Sequence, residues 1–309
     1  MAKRKKIKDT TARITFRLGA ARGKNHLKAA QGPSVFGILK VFTAVCTLIA
    51  VGVGFVFLEK YTIPLSKKTG HLKLLNPPAW VNESLKEKIC IAAKTYDKDL
   101  KLDENAAMVI QRNIETLVPW MDQVKVQVTH DSIHINGRWR KPLALVESGR
   151  NKFYVDASLV VLDYLPMPNL PIINVKGLSV IAKTPSPGKS CRQDDLAAAV
   201  TVLTKLDQMD QLVTPKKPLL YEIGSIDVSN FNGRRNNRLP HIVLYAKDNT
   251  EVIWGAEFGT WQRHLESSDE EKLAKLYGYY KEYGTLQKGV KYINLCDPQD
   301  RIPLPIDKY

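Results

Sequence analysis

The chain has 309 residues, of which 44% are hydrophobic, and a formal net charge of +15. This length and hydrophobic content fit about two folded domains and exclude a disordered protein. Ten basic residues and one acid lie within residues 1–34, so the other 275 residues carry a net charge of only +6. Such an excess is ordinary for a globular surface, and the charge of the chain therefore does not indicate nucleic-acid binding.

The segment that follows this basic tail is apolar throughout. Residues 35–58 contain one charged residue, Lys40, near one end. As a single helix these 24 residues would span about 36 Å, which exceeds the hydrocarbon core of a bilayer at about 30 Å. The sequence therefore predicts one transmembrane helix over residues 35–58, with a cytoplasmic tail over residues 1–34 and the rest of the chain across the membrane.

A buried core helix and a cleaved signal peptide are the alternatives for residues 35–58. The 18 uncharged residues of 41–58, flanked by charges, favour a membrane span over a core helix. The basic region of more than 30 residues is too long for a signal peptide. For the basic tail, contact with anionic lipid is favoured over nucleic-acid binding.

Residues 70–142 carry the pattern of a small α+β domain. A short strand pattern precedes two amphipathic segments, which begin near Asn82 and Asp103. Alternation with period two then predicts strands over 123–128 and 132–139. The order β-α-α-β-β predicts two helices on one face of a three-stranded sheet.

The pattern of residues 143–309 predicts a second domain, which is mainly antiparallel β with helices on one face. Short strand patterns, separated by Gly, Pro and Asn breaks, alternate with two helical patterns. The helices are predicted over 194–209 and from Asp269 onward. The strand patterns lie at 141–147, 152–164, 170–177, 225–231, 241–247, 251–257 and 291–295.

The four cysteines are widely spaced. Cys46, Cys90, Cys191 and Cys296 form no CxxC pair and no Cys/His cluster, so they give no zinc or redox motif. One disulfide among the three cysteines after the apolar segment is compatible with the sequence, but nothing in the sequence requires it.

The search for a catalytic or metal site returns weak signals. His130 and His134 have the same strand parity, but two histidines without a third ligand are a weak metal site. Asp194, Asp195 and the acidic run 269–271 are better explained as favourable charges at helix N-termini. No nucleophile, zinc or phosphate-loop motif occurs in the sequence. The sequence therefore predicts a protein that is not an enzyme and that has no cofactor or metal site.

Four motifs follow one another along the chain: LVPWMDQVKV at residues 117–126, RWRKPLAL at 138–145, FYVDASLVVLDYLPMPNLPII at 153–173 and KYINLCDP at 291–298. In this order they resemble the FtsQ/DivIB family of bacterial cell-division proteins, and the likeness covers most of residues 35–302.

The chain also departs from the family pattern in four places. The family's wPdtL turn appears only as VTHDSI at residues 128–133. Leu159 stands where the family has glycine, Asn294 where it has aspartate, and Cys296 where it has arginine. These departures suggest a divergent member.

The resemblance implies a cytoplasmic tail, one transmembrane helix, a POTRA-like domain over residues 70–142 and a β domain over residues 143–309. It also implies a non-enzymatic, single-pass scaffold of the divisome in the bacterial inner membrane, at the division septum, with its bulk in the periplasm. Such a scaffold holds FtsB/FtsL-type partners by accepting a partner strand at the edge of its β domain. The implied partner contacts are Tyr292, Leu295, Asp297, Arg301 and Ile302.

Three alternatives accompany this interpretation. Tyr292 and Leu295 would have a structural role alone if they pack in the domain core. A POTRA-type chaperone or transport module is the second alternative, and an open sheet edge near residues 123–139 would favour it. A membrane-anchored hydrolase is the third, and it requires a cleft that gathers His130, His134 and carboxylates.

Overall fold

The computed structural model describes residues 43–53, 71–94, 104–129, 131–149, 151–180, 185–287 and 290–298. Contacts between Cα atoms divide the chain into two compact units, Met1–Pro64 and Leu65–Tyr309. The first unit contributes one described helix, α1, over residues 43–53. All other described elements belong to the second unit.

The structure corrects the prediction of a transmembrane helix over residues 35–58. Among the described residues, no helix has the length and apolar character needed to cross a membrane. The prediction treated residues 35–58 as one helix. Of these, residues 35–42 and 54–58 lie outside the described residues, as does the predicted tail of residues 1–34.

A three-stranded sheet and two helices form the first half of the second unit. The elements follow one another in the order β1, α2, α3, β2 and β3, and strand β3 lies between β1, its parallel neighbour, and β2, its antiparallel neighbour. Their bounds are His71–Leu74, Glu83–Ala93, Glu104–Leu117, Met121–Val128 and Ser132–Trp139.

Helix α2 begins where the sequence places a cap. The Asn82 side chain accepts a hydrogen bond from Leu85 N at 2.9 Å, which satisfies one of the free N–H groups of the first turn. Leu85 and Ile89 are fully buried and lie one turn apart, so this face of the helix packs in the core of the small sheet.

The core of the small sheet extends to side chains of the larger one. Tyr154, Leu162 and Met167 pack in the same buried cluster as the fully buried Trp120. The Trp120 indole N–H also donates a hydrogen bond to Asp163 Oδ1 at 3.1 Å. Both sheets therefore share buried contacts within the second unit.

The larger sheet has eight described strands in the order β11-β10-β9-β8-β7-β4-β5-β6, and the α+β class with two sheets is confirmed. The neighbouring pairs β4/β7, β7/β8 and β10/β11 are parallel, and the other four pairs are antiparallel. The strand bounds are Pro142–Ser148, Asn151–Asp156, Val161–Asp163, Ile173–Lys176, Ile223–Asp227, Ile242–Ala246, Glu251–Gly255 and Tyr292–Asn294, for β4 to β11.

The sheet is therefore mixed, whereas the strand patterns predicted a mainly antiparallel one. For the pairs β7/β8 and β10/β11, the difference comes from helices that carry the chain back before it forms the next strand. The third parallel pair, β4/β7, is reached through β5, β6 and residues 164–172, which contain no helix. Helix α4, Asp194–Val213, lies between β7 and β8, while α5, Trp261–His264, and α6, Asp269–Tyr283, lie between β10 and β11. A connection through a helix returns the chain in the same direction, which produces parallel neighbours.

A buried carboxylate joins helices α4 and α6. Asp210 Oδ1 accepts hydrogen bonds at 2.8 Å from Thr214 Oγ1, Leu219 N and Tyr277 Oη, and its Oδ2 accepts one from Leu220 N at 2.9 Å. Burial, followed by the negative charge of Asp210, raises the pKa of the Tyr277 hydroxyl well above its ordinary value. The hydroxyl therefore stays protonated and keeps donating to the carboxylate.

Replacement of Asp210 tests this junction. We expect Asp210→Ala to lower the free energy of unfolding by about 3 kcal/mol, because it leaves the buried backbone N–H groups of Leu219 and Leu220 and the Thr214 hydroxyl without their acceptor. Gln208→Ala, at an exposed position of the same helix, should change it by less than about 0.5 kcal/mol. Urea unfolding measures both, and equal losses would contradict the role given to Asp210.

Candidate partner-binding edge

Strand β11 forms one edge of the eight-stranded sheet. It pairs with β10 alone among the described strands, in parallel register, with Tyr292 opposite Glu251 and Asn294 opposite Ile253. The Glu251 amide donates to the Lys291 carbonyl at 3.1 Å, and the Leu295 amide donates to the Ile253 carbonyl at 3.1 Å. The strand is thus held along one side only.

The backbone parity of β11 determines which groups face outward. In a parallel strand the N–H and C=O of one residue point to the same side, and the side alternates along the chain. Residues 291, 293 and 295 face β10. The N–H and C=O groups of Tyr292 and Asn294 therefore face away from the sheet, where no described strand lies.

The opposite edge of the sheet is covered. Val160 bridges Ser190 just before β6, the Val161 amide donates to the Lys189 carbonyl at 2.9 Å, and the Gly188 amide donates to the Val161 carbonyl at 2.8 Å. This segment pairs with the outward N–H and C=O groups of Val161, the first residue of β6. No described segment pairs in this way with the outer side of β11.

The predicted contact residues take different positions at this edge. Tyr292 is half-buried, whereas Leu295 is fully buried in the core. Leu295 therefore supports the edge by packing in the core, which is the structural role named as an alternative above. Its side chain is not accessible to a partner. Asp297 is half-buried just beyond the strand. Arg301 and Ile302 lie outside the described residues.

The segment that follows β11 is fixed by hydrogen bonds from the start of α6. The Asp297 carbonyl accepts from Ser267 Oγ at 2.6 Å and from Lys275 Nζ, and the Cys296 carbonyl accepts from Ser267 N at 2.9 Å. The Asn294 side chain accepts from Cys296 N at 2.9 Å. The edge strand therefore leads into an ordered backbone through Asp297.

A buried ion pair lies beneath this segment. Lys272 Nζ is 2.6 Å from Glu266 Oε2, and the Lys272 side chain is fully buried. Its ammonium group also lies 5.5 Å from the centroid of the Trp254 ring, a geometry that favours a cation–π contact. The Glu266 carboxylate accepts from Ala256 N at 2.9 and 3.1 Å, which ties the end of β10 to the pair.

Cys296 and Gly255 border the same ion pair. Burial raises the pKa of the Cys296 thiol to about 12, and the negative charge of Glu266 acts in the same direction. Gly255 has a φ of 92°, and a Cβ at this position would lie 2.3 Å from Glu266 Oε2 and 2.5 Å from Cys296 Sγ. Only glycine leaves room for both groups.

Among the described residues, no catalytic cleft gathers the histidines that the sequence singled out. His130 lies outside the described part of the chain. His134 Nε2 is 3.1 Å from Ser132 Oγ, and Asp131 accepts from that same hydroxyl at 3.2 Å. The hydroxyl thus sits between imidazole and carboxylate, whereas a Ser-His-Asp triad needs the imidazole in the middle.

The acidic residues that the sequence singled out have structural roles. Asp195 is buried and accepts from Ser179 N and Oγ at 2.7 Å each and from Arg234 Nη1 at 2.9 Å. Burial alone would raise its pKa, but these hydrogen bonds hold that pKa below its ordinary value. Asp194 and Asp269 lie in the first turns of α4 and α6. The sequence analysis missed Glu266 and Lys272, because neither belongs to a recognisable motif.

Comparison of the chain with protein-family models and with curated proteins finds no match. The likeness to the FtsQ/DivIB family therefore remains a prediction from four motifs and their order.

The buried ion pair yields a stability prediction. We expect Lys272→Ala to lower the free energy of unfolding by about 3–5 kcal/mol, because it removes a fully buried side chain and leaves the half-buried Glu266 carboxylate without its ion-pair partner. Lys281→Ala, at an exposed position of the same helix, should cost less than about 0.5 kcal/mol. Urea unfolding compares the two variants, and a small loss for Lys272→Ala would contradict the pairing.

The thiol of Cys296 yields a reactivity prediction. With a pKa of about 12, only about one thiol in ten thousand is ionised at pH 8, and the thiolate is the reactive form. We expect a thiol reagent to modify exposed Cys46 in the native protein and Cys296 only after denaturation. Mass spectrometry of peptides from labelled samples locates the modification. Rapid native labelling of Cys296 would show that the segment after β11 is not closed.

Proposed function

We propose that this chain is a non-enzymatic scaffold of the bacterial division machinery, of the FtsQ/DivIB type, that accepts a strand from an FtsB/FtsL-type partner along β11. The outer side of β11, along which no described strand lies, is the observation that carries the proposal. The four motifs, which end in KYINLCDP at this edge, support it.

The proposed location is the division septum, with both sheets on the outer side of the cytoplasmic membrane and the basic tail of residues 1–34 in contact with anionic lipid. This location rests on the resemblance and on the charge of the tail.

The geometry suits strand addition. Tyr292 and Asn294 present two N–H and two C=O groups, so an added strand forms up to four main-chain hydrogen bonds. Ser267 fixes the backbone just beyond the strand, which reduces the conformational entropy that partner binding would otherwise cost. The edge is short, and we therefore expect contacts outside β11 to supply part of the affinity.

Site-specific photocrosslinking in the living host tests the partner. We expect a photoreactive benzophenone amino acid in place of Tyr292 to capture small coiled-coil division proteins, identified by mass spectrometry. The matched control carries the same group in place of Lys189, at the covered edge of the sheet. Equal capture at both positions, capture of export components instead, or no capture would contradict the proposal.

A pair of substitutions at one position isolates the backbone contribution. Asn294→Pro removes the outward N–H, while Asn294→Ala removes the side chain and keeps the N–H. Because this N–H does not pair with β10, both variants should unfold at similar urea concentrations. We expect the proline variant to capture about tenfold less partner than the alanine variant. The loss corresponds to one main-chain hydrogen bond to the partner and to the room that the proline ring takes from the partner strand. Equal capture by both variants would exclude pairing through Asn294.

One observation favours the second candidate, a chaperone or transport module of the POTRA type. Strand β2, Met121–Val128, is an edge of the small sheet, and no described strand pairs with its outer side. A bulge between Asp122 and Lys125, with Gln123 at a φ of 51°, shortens the regular part of this edge. Under this function, a photoreactive group at exposed Gln127 would capture transiting chains, while one at Tyr292 would not.

A further inference from the structure

Two histidines and a glutamate from three separate segments meet near the β11 side of the large sheet. His241 precedes β9, Glu257 follows β10, and His264 is the last residue of α5. His241 Nδ1 lies 3.0 Å from each Glu257 carboxylate oxygen, and the ring centroids of His241 and His264 are 4.7 Å apart. One ligand atom from each residue lies within 4.8 Å of the other two.

The topology explains why these segments converge. Strands β9 and β10 are antiparallel, with Ile242 opposite Gly255, so the start of one lies beside the end of the other. His241 and Glu257 are therefore neighbours across the open end of the pair. Helix α5 follows within a few residues and brings His264 to the same place.

The side chains of His241 and Glu257 are held in position. His241 is buried, and its Nδ1 faces the Glu257 carboxylate. On the other side of the ring, Nε2 lies 3.5 Å from where a Cβ on Gly233 would stand. Glu257 Oε1 also accepts from Asn232 N at 2.8 Å. Burial alone would raise the pKa of Glu257, but the hydrogen bonds from His241 and from backbone amides hold it below its ordinary value.

We propose that His241, Glu257 and His264 bind a divalent first-row transition ion, with Zn²⁺ the best match. Two imidazole nitrogens and one carboxylate oxygen are a donor set that zinc accepts, and hard ions such as Mg²⁺ prefer oxygen ligands alone. Ligand atoms around a tetrahedral zinc ion lie about 3.3 Å apart. The 3.0 Å spacing between His241 and Glu257 is close to this value, and rotation of the exposed His264 ring brings the third ligand in.

The ion would connect α5 to the open end of the β9/β10 pair. Three protein ligands leave a fourth coordination position for water or for a group from a binding partner. This site is independent of the partner strand proposed at β11, because none of its ligands belongs to that strand. The sequence analysis predicted no metal site because it weighed only His130 and His134.

Zinc titration of the full-length, untagged protein, after dialysis against a chelator, tests the site. We expect one Zn²⁺ per chain with a micromolar or lower dissociation constant, measured by competition with a chromophoric chelator. Bound Co²⁺ should give the visible absorption of a tetrahedral complex. Saturating Zn²⁺ should also raise the melting temperature by about 5 °C, because the ion binds only the folded state.

Two variants and one control decide the assignment. His264→Ala alters an exposed ligand and should fold normally while weakening zinc binding at least tenfold. Glu257→Gln should weaken it by a similar factor. His134→Ala, in the small sheet, should leave it unchanged. No binding below 100 μM Zn²⁺, or unchanged binding by His264→Ala, would overturn the proposal and leave His241 and Glu257 as a hydrogen-bonded pair.

Discussion

The carboxylate of Glu266 fixes the part of the fold on which the open edge depends. It accepts from the Ala256 amide at the end of β10, pairs with buried Lys272 in α6, and lies against Cys296 after β11. Three segments therefore meet at one half-buried carboxylate whose ion-pair partner, Lys272, is fully buried. Since an unpaired charge in such a site is costly, the arrangement favours a single relative position of β10, α6 and the end of β11.

This constraint explains how a three-residue strand stays at the edge of a sheet. Strand β11 is too short to be held by its ladder to β10 alone, but Ser267 and Lys275 bind the backbone just after it. Its outer N–H and C=O groups, with which no described strand pairs, consequently stay ordered. Such edges invite pairing with another chain, and the proposed function uses that tendency for a specific partner.

The sequence predicted the local elements better than their connections. Apolar spacing around Leu85 and Ile89 predicted α2, and alternation predicted β2 and β3. Hydropathy predicted a membrane span at residues 35–58, whereas no helix among the described residues has the length and apolar character to cross a membrane. The parallel pair β10/β11, the pair Glu266/Lys272 and the site of His241 and His264 depend on contacts between separate segments, which periodicity does not encode.

Hydrogen exchange of individual backbone amides, followed by NMR, tests the one-sided edge most directly. The structure predicts alternation: the amides of Ile293 and Leu295, which face β10, should exchange about a hundredfold more slowly than those of Tyr292 and Asn294. Slow exchange at all four amides would show that another segment covers the edge. Fast exchange at all four would show that β11 does not pair with β10, and either result would contradict the account.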